Sequence, residues 1–508
     1  MQESRTQNAT RNIFWGIIEK ITYLLLPFVL RTVFIYTLGK EYLGLNSLFS
    51  SILSVLSVTE LGFGSAISFS MYNPIAEGDN DMVCALLNAF KKIYRVVGSI
   101  ILVAGLAIMP WLPNLIKGSY PADINIYILY LVFLINTALG YFLAAYKAVL
   151  FSAHQRNDLT SKRTTLINIF SNTLKLVVLL TIKNYYVYTL VLPIATIASN
   201  LTNAYLAKKM FPQIECRGTL SKESKHGIKK RVVGLLSFKI YGVIFSSVDA
   251  IVISAFLGLV PLAIYNNYYY IQSTLVGFLV VLTTSITAGI GNKMVTASKE
   301  ENYEDFKKVV FINGWLSSWC SICMFCLYQH FITLWVGEEM LFPFDTMLLM
   351  VIYFFIPRIS TISYTYREAA GLWWEDRIRP IVATVANLVI NLLLVNIIGM
   401  NGVLISTIIC SVFINIPWGS YVLFKNYFKC SPMEYFGVLI YYVAVTAIVC
   451  ALTYLLIMLL PTTGFISFAA KAIICTIVPN LLFCAIYHKK SEYGYFKSYI
   501  LRLLKVKR

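Results

Sequence analysis

The strongest constraint on this chain is a string of apolar runs of about 20 residues, separated by short polar tethers from one end to the other. A run of that length, wound as helix, matches the hydrocarbon core of a bilayer. The spans read as Asn12–Leu38, Leu43–Met71, Val96–Leu112, Ile124–Ala145, Leu166–Ile182, Tyr186–Ala207 and Val232–Leu257. They continue as Leu262–Ile290, Val309–Leu334, Met347–Tyr366, Ile381–Ile398, Gly402–Phe424, Tyr435–Leu460 and Ile466–Tyr487, which makes 14. Only 13% of the 508 residues are charged and 58% are hydrophobic, too little charge to coat a water-soluble surface of that size. The expected fold is an all-α polytopic membrane protein.

Orientation follows from where the basic residues lie. An even number of spans puts both termini on one side, and the loops on that side carry Lys91, Lys92, Arg95, Lys147, Arg156, Lys162, Arg163, the Lys208–Arg231 cluster, Arg367, Arg377 and Arg379. The opposite loops hold only Lys40, Lys117 and Lys183. The positive-inside rule makes both termini cytoplasmic. The net charge of +18 is thus distributed as topogenic charge and not in the hydrophilic stripes of a nucleic-acid binder. The polar start, Met1–Arg11, has no cleavage-site pattern, so no removable signal peptide is expected. The basic, aromatic tail after Tyr487 reads as a helix on the anionic cytoplasmic leaflet or as a simple topogenic tail.

An internal repeat at an offset of about 220 residues organises the spans. The segment FKIYGVIFSSVDAIVISAFLGLVPLAIYNN from Phe238 parallels EKITYLLLPFVLRTVFIYTLGKEYLGLNS from Glu19, placing Lys20 on Lys239 and Gly39 on Gly258. Farther on, YKAVLFSAHQRND from Tyr146 parallels YREAAGLWWEDRI from Tyr366, and each precedes a span with two asparagines, Asn168 and Asn172 or Asn387 and Asn391. Six spans separate the copies, so they run in the same direction, as in transporters built of two parallel lobes with the substrate path between them. The expected organisation is a six-helix lobe over 1–210, a basic cytoplasmic linker over 211–231 and a second six-helix lobe over 232–428. Two additional helices follow over 429–487, then a basic tail over 488–508.

Charges inside spans need a partner, a watery cavity or an escape route, since each costs at least ~2.5–3.5 kcal/mol near the bilayer centre. Lys20 and Arg31 share a face of the first span about 16 Å apart, with Glu19 beside them; Lys239 and Asp249 hold corresponding places in the seventh. Arg358, next to Pro357, and Lys175 complete a candidate cationic lining for an anionic substrate. The bland alternative is that the two lysines snorkel to headgroups and that Arg31 and Asp249 form a structural pair. Glu60, in TELGFGSA, joins Asp249 and Glu19 as a candidate for ion coupling or charge pairing, although the adjacent glycines also suit close helix packing.

Other patterns point away from chemistry. The Cys320, Cys323, Cys326 run and the scattered histidines read as helix packing, with no metal site expected. The tyrosines at 185–188 and 265–270 read as an interfacial belt, or as stacking platforms for sugar rings. No phosphate-binding loop of the G-x-x-x-x-G-K-[ST] kind and no catalytic constellation is present, so neither an ATP-driven pump nor an enzyme is expected. A membrane glycosyltransferase or polymerase would need a large outer loop, and these loops are short. A scaffold without transport activity does not account for so many charges within spans.

Several segments carry a family resemblance: MYNPIAEGDNDMVCALLNAFKKIYRVVG from Met71, REAAGLWWEDRIRPIVATVANLVINLLLV from Arg367, ELGFGSAISFS from Glu60, IYNNYYYIQ from Ile264 and SITAGIGN from Ser285. They resemble bacterial polysaccharide (Wzx-type) flippases of the multidrug/oligosaccharidyl-lipid/polysaccharide exporter superfamily, over essentially the whole chain. The resemblance implies two six-helix lobes around a central cavity in the bacterial cytoplasmic membrane. It implies alternating-access transport of undecaprenyl-pyrophosphate-linked repeat units for capsule, exopolysaccharide or O-antigen. It also implies coupling to a proton or sodium gradient without a cofactor, with membrane lipid and polysaccharide-polymerising enzymes as partners. Arg31, Arg358, Lys20, Lys239 and Lys175 would then shield the pyrophosphate. A cation-coupled drug antiporter of the same fold is the competing expectation, though it calls for an acidic cavity.

Overall fold

A computed structural model describes residues 5–57, 63–223, 242–243, 247–461 and 464–505, and those residues are helices joined by turns, with no strand among them. The chain divides into two compact units, Met1–Ala263 and Ile264–Arg508. Lys239, Glu60, half of the seventh expected span and the latter part of the basic linker lie outside the described residues.

The first unit runs α1 (Arg5–Thr37), α2 (Lys40–Leu56), α3 (Phe63–Glu77), α4 (Asn80–Ile108), α5 (Ile126–Phe142), the short α6 (Ala148–Ala153), α7 (Asn157–Thr181) and α8 (Tyr185–Met210). A shorter apolar helix, α9 (Ser247–Phe256), follows, and α10 (Leu259–Thr296) begins here. α1 and α7 pack along much of their length. α8 is pinned to α1 through Phe34, whose ring lies 5.7 Å from Tyr185 and 5.0 Å from Tyr188. Both tyrosines are buried, so they serve as packing groups inside the unit and not as an interfacial belt. The first part of the expected linker lies along α4: Asn88 Nδ2 donates to the Gly218 carbonyl at 2.9 Å, and Arg217 pairs with Asp81 at 2.9 Å.

The second unit comprises the rest of α10, then α11 (Lys299–Val336), α12 (Phe344–Ile359), α13 (Thr361–Ala369), α14 (Arg379–Cys410), α15 (Ile416–Leu423), α16 (Met433–Ile457), α17 (Phe465–Tyr487) and α18 (Ser491–Lys505). Its core is aromatic, with Phe306, Phe311, Tyr366, Phe424, Tyr442 and Tyr487 all buried. α18 turns part of its aromatic face to α11, Tyr493 stacking on Trp315 at 6.1 Å and Phe496 reaching the same ring at 5.4 Å. The tail is therefore docked on protein, where a helix lying only on the leaflet was one expectation.

Eight helical stretches among the described residues are long and apolar enough to cross a membrane, nine if the pair α5 and Ala145–Ala153, bent by 46°, counts as one span. The stretch Arg379–Phe428 has 50 residues, roughly 75 Å of helix and more than twice a bilayer core. It folds back at Ile398 and Gly399, where the backbone leaves helical geometry and Gly399 takes φ +57°. The break falls where the eleventh and twelfth spans were expected to part. Asn387 Nδ2 donates to Thr407 Oγ1 at 2.9 Å, a contact that 20 residues of straight helix would hold about 30 Å apart. A Cβ at Gly402 would overlap the Leu394 carbonyl, and backbone cannot rotate away. Gly402→Ala is expected to destabilise the protein by about 1–3 kcal/mol, read as a lower melting midpoint in detergent.

Two glycines matched by the repeat share a backbone geometry. Gly39 and Gly258, matched by sequence, open α2 and α10 with φ +108° and +105°, a region that favours glycine. The turns before them close alike: Leu38 N–H bonds the Phe34 carbonyl at 2.9 Å, and Leu257 N–H bonds that of Ile253 at 2.8 Å.

Candidate functional site: a polar cavity in the first unit

α7 carries a polar stripe, Thr164, Asn168, Ser171, Asn172 and Lys175, at the i, i+4, i+7, i+8, i+11 spacing that stays on one helix face. That face borders a half-open cavity of about 350 Å³, lined also by Tyr23 and Pro27 of α1, Asn136 of α5, and Leu192, Ala195, Thr196 and Ser199 of α8. Two helix prolines shape it. Pro27 cannot donate to the Tyr23 carbonyl, and Pro193 in α8 cannot donate to that of Thr189, so both helices are relieved of a rung beside the cavity. Hydrogen bonds hold part of the wall: Thr196 Oγ1 donates to Asn136 Oδ1 at 2.7 Å, and Asn172 Nδ2 to the Asn168 carbonyl at 2.7 Å.

Lys175 brings a basic side chain to that otherwise neutral wall. Its Nζ sits 5.5 Å from the centroid of the Tyr188 ring, a cation–π distance. Arg31 of α1 is half-buried, and its charge is felt at the same tyrosine. Lys175 and Arg31 thus both lie within electrostatic reach of Tyr188. Lys20, about three turns nearer the start of α1, is exposed. Glu19 is half-buried, with Arg163 of α7 within electrostatic reach. Asp249 is fully buried on α9.

Arg358 belongs to the second unit, at the end of α12 just before the break that separates it from α13. The span expected over Met347–Tyr366 lies within one apolar stretch, Phe344–Ala369, interrupted only at Ser360 between α12 and α13, and Asn313 of α11 donates its Nδ2 to the Arg358 carbonyl at 2.8 Å. Asn387 and Asn391, the counterparts of Asn168 and Asn172, are buried, Asn387 against hydroxyls of its own hairpin. At the offset of 219, the counterpart of Lys175 is Leu394, packed on Gly402. Thus the stripe borders a cavity in the first unit, whereas its repeat-related positions in the second belong to a packed hairpin.

Ion pairs at two helix starts, one buried and one half-buried, are not legible in the sequence, where their basic members read as topogenic. Asp376 receives two bonds from Arg379, Nε at 2.8 Å and Nη2 at 2.7 Å, and stands 3.6 Å from Arg367 Nε. Arg379 also donates to Asn415 Oδ1 at 2.7 Å, and Arg367 fills the space left by Gly419. In the first unit Arg156 forks onto Asp158 at 3.0 and 3.1 Å, and Asn12 of α1 accepts from the Asp158 N–H at 2.6 Å. The signal available was an Arg within two or three residues of an Asp in both repeat copies.

A family model described as polysaccharide biosynthesis protein matches residues 9–288, more than half of the chain. No curated protein matches the sequence. Among solved structures, the lipid II flippase MurJ in an inward closed conformation has a TM-score of 0.65 at 15% identity, covering 95% of this chain and 99% of that one. An inward-facing multidrug resistance MATE family transporter of the MOP superfamily gives 0.61 at 13%, covering 80% and 96%. The Vibrio cholerae MATE transporter VcmN, crystallised as a point mutant, gives 0.57 at 14%, covering 84% and 99%. At such identities the likeness shows the fold, that of MOP-superfamily transporters.

Proposed function

Because the chain belongs to the family of polysaccharide biosynthesis proteins, we propose that it is a flippase carrying undecaprenyl-pyrophosphate-linked oligosaccharide repeat units across the cytoplasmic membrane of a bacterium by alternating access. The family match is the observation that carries this reading. The multi-pass fold supports it, and so does the charge within the spans: a pyrophosphate is a dense anion, and Arg31, Lys175 and Arg358 are basic residues within the apolar runs of the sequence. Arginine suits such a group because its planar fork can donate two parallel bonds to phosphate oxygens. Both termini are cytoplasmic in this reading, and a proton or sodium gradient drives the cycle without a bound cofactor. Polymer made for capsule, exopolysaccharide or O-antigen would pass next to a polymerase partner.

The test is genetic and chemical. Cells lacking this chain are expected to lose surface polymer and to accumulate lipid-linked repeat units, accessible only from the cytoplasmic leaflet. Normal surface polymer in a clean deletion would sink the reading. The likeness to MATE transporters favours a second reading, a cation-coupled drug antiporter. In that case the chain should drive efflux of cationic dyes, and Asp249→Asn should abolish it.

A further inference from the structure

The cavity wall in the first unit, as formed by the described residues, offers amides, hydroxyls, one phenol and one amine, and no carboxylate. Amines and guanidinium groups differ in one respect that matters here. An arginine stays protonated in proteins, whereas a buried lysine gains and loses its proton readily. The repeat sharpens the contrast, because the position matching Lys175 is the apolar Leu394, packed where the chain folds back. An amine beside open polar volume is thus specific to one copy of a duplicated element.

We propose that Lys175 is a proton-binding site of the transport cycle, its amine taking a proton from water in the cavity and returning it to water once per turnover. This rests on the transport reading above. The exchange is balanced within the site: an N–H bond of the ammonium breaks, the proton joins a water, and the lone pair remains on the neutral amine. A cavity of about 350 Å³ holds on the order of ten waters at their liquid volume.

The groups facing Lys175 give it a means of responding to cargo. From α1 comes Tyr23, and from α8 Tyr188, whose ring also feels the charge of Arg31; α5 and α7 present Asn136, Asn168 and Asn172. The Glu19 and Arg163 neighbourhood lies about 12 residues back along α7, some 18 Å of helix. The nearby permanent charge is therefore positive. An anionic cargo in the cavity favours the charged form of the amine, which links cargo binding to proton binding.

Arginine and methionine at position 175 separate this role from a fixed electrostatic one. In cells that depend on this chain for polymer export, Lys175→Arg and Lys175→Met are both expected to lower export at least tenfold at unchanged membrane abundance, since neither side chain can cycle a proton. Export restored by Lys175→Arg would overturn the proposal, because a permanent cation would then suffice; normal export by Lys175→Met would overturn it too. A second measurement stands whether or not the variants fold. In the purified wild-type protein with isotope-labelled lysines, the Lys175 resonance is expected to titrate with a midpoint displaced from that of the exposed lysines. Titration together with them would overturn the proposal. If the wild-type chain supports no export at all, the flippase reading falls, and this titration still decides whether the amine is a proton site.

Discussion

Asp376→Ala is expected to destabilise the protein by about 3–5 kcal/mol, because the substitution leaves two arginines in a buried pocket without their carboxylate. The side chains concerned are almost completely enclosed, with 1% of Asp376, 4% of Arg379 and 8% of Arg367 accessible. Asp376 is shared: Arg379 holds both of its oxygens, while Arg367 approaches from the end of α13 and spreads over the Tyr364 ring at 5.6 Å. Losing the carboxylate therefore frees the start of α14 and the end of α13 together. Thermal unfolding in detergent, followed with membrane abundance, reads the effect. Replacing all three charged residues by apolar ones of similar volume should recover most of the loss, since the penalty comes from the stranded charges and not from an absent attraction. An Asp376→Ala protein with the wild-type melting midpoint would show that the pair is not what holds these helix ends.

The contrast between that cluster and the spans shows what a single sequence makes legible. Long apolar runs are read directly, because the bilayer imposes a length on them and their interruptions are short. That is why the break at Ile398 and Gly399 was placed correctly, and why Gly39 and Gly258 could be matched before their backbone angles were known. The basic residues are a different case. An arginine at the end of a span has the same sequence neighbourhood whether it faces headgroups or a buried aspartate. Arg156 and Arg379 could therefore serve the topology count while their bonds to Asp158 and Asp376 went unread. The cavity was half legible. Asn168, Asn172 and Lys175 were each noted, but their shared face with Thr164 and Ser171 emerges only when the stripe is set against α1, α5 and α8. Asn313, which donates to the Arg358 carbonyl near the junction of α12 and α13, lies 45 residues from it, beyond the reach of local pattern.

The second large effect concerns export. Arg31→Ala is expected to lower polymer export roughly 10- to 150-fold, the range that corresponds to losing one charge-assisted hydrogen bond of about 1.5–3 kcal/mol to a pyrophosphate oxygen in the crossing state. Arg31 is half-buried and its charge reaches Tyr188, over whose ring the Lys175 amine sits at 5.5 Å, so its loss removes charge from the neighbourhood of the cavity. Membrane abundance and the melting midpoint provide the control that separates lost transport from lost protein. Arg31→Lys is expected to retain an intermediate rate, keeping the charge while giving up the bidentate fork. Lys20→Ala, on the exposed part of the same helix, should stay within about twofold of wild type, as surface charges away from special features usually do. Arg358→Ala, measured alongside, asks whether the second unit supplies charge to the same step. Full export by both Arg31→Ala and Arg358→Ala would remove the cationic mechanism, while loss in Arg31→Ala with export intact in Arg358→Ala would confine it to the first unit.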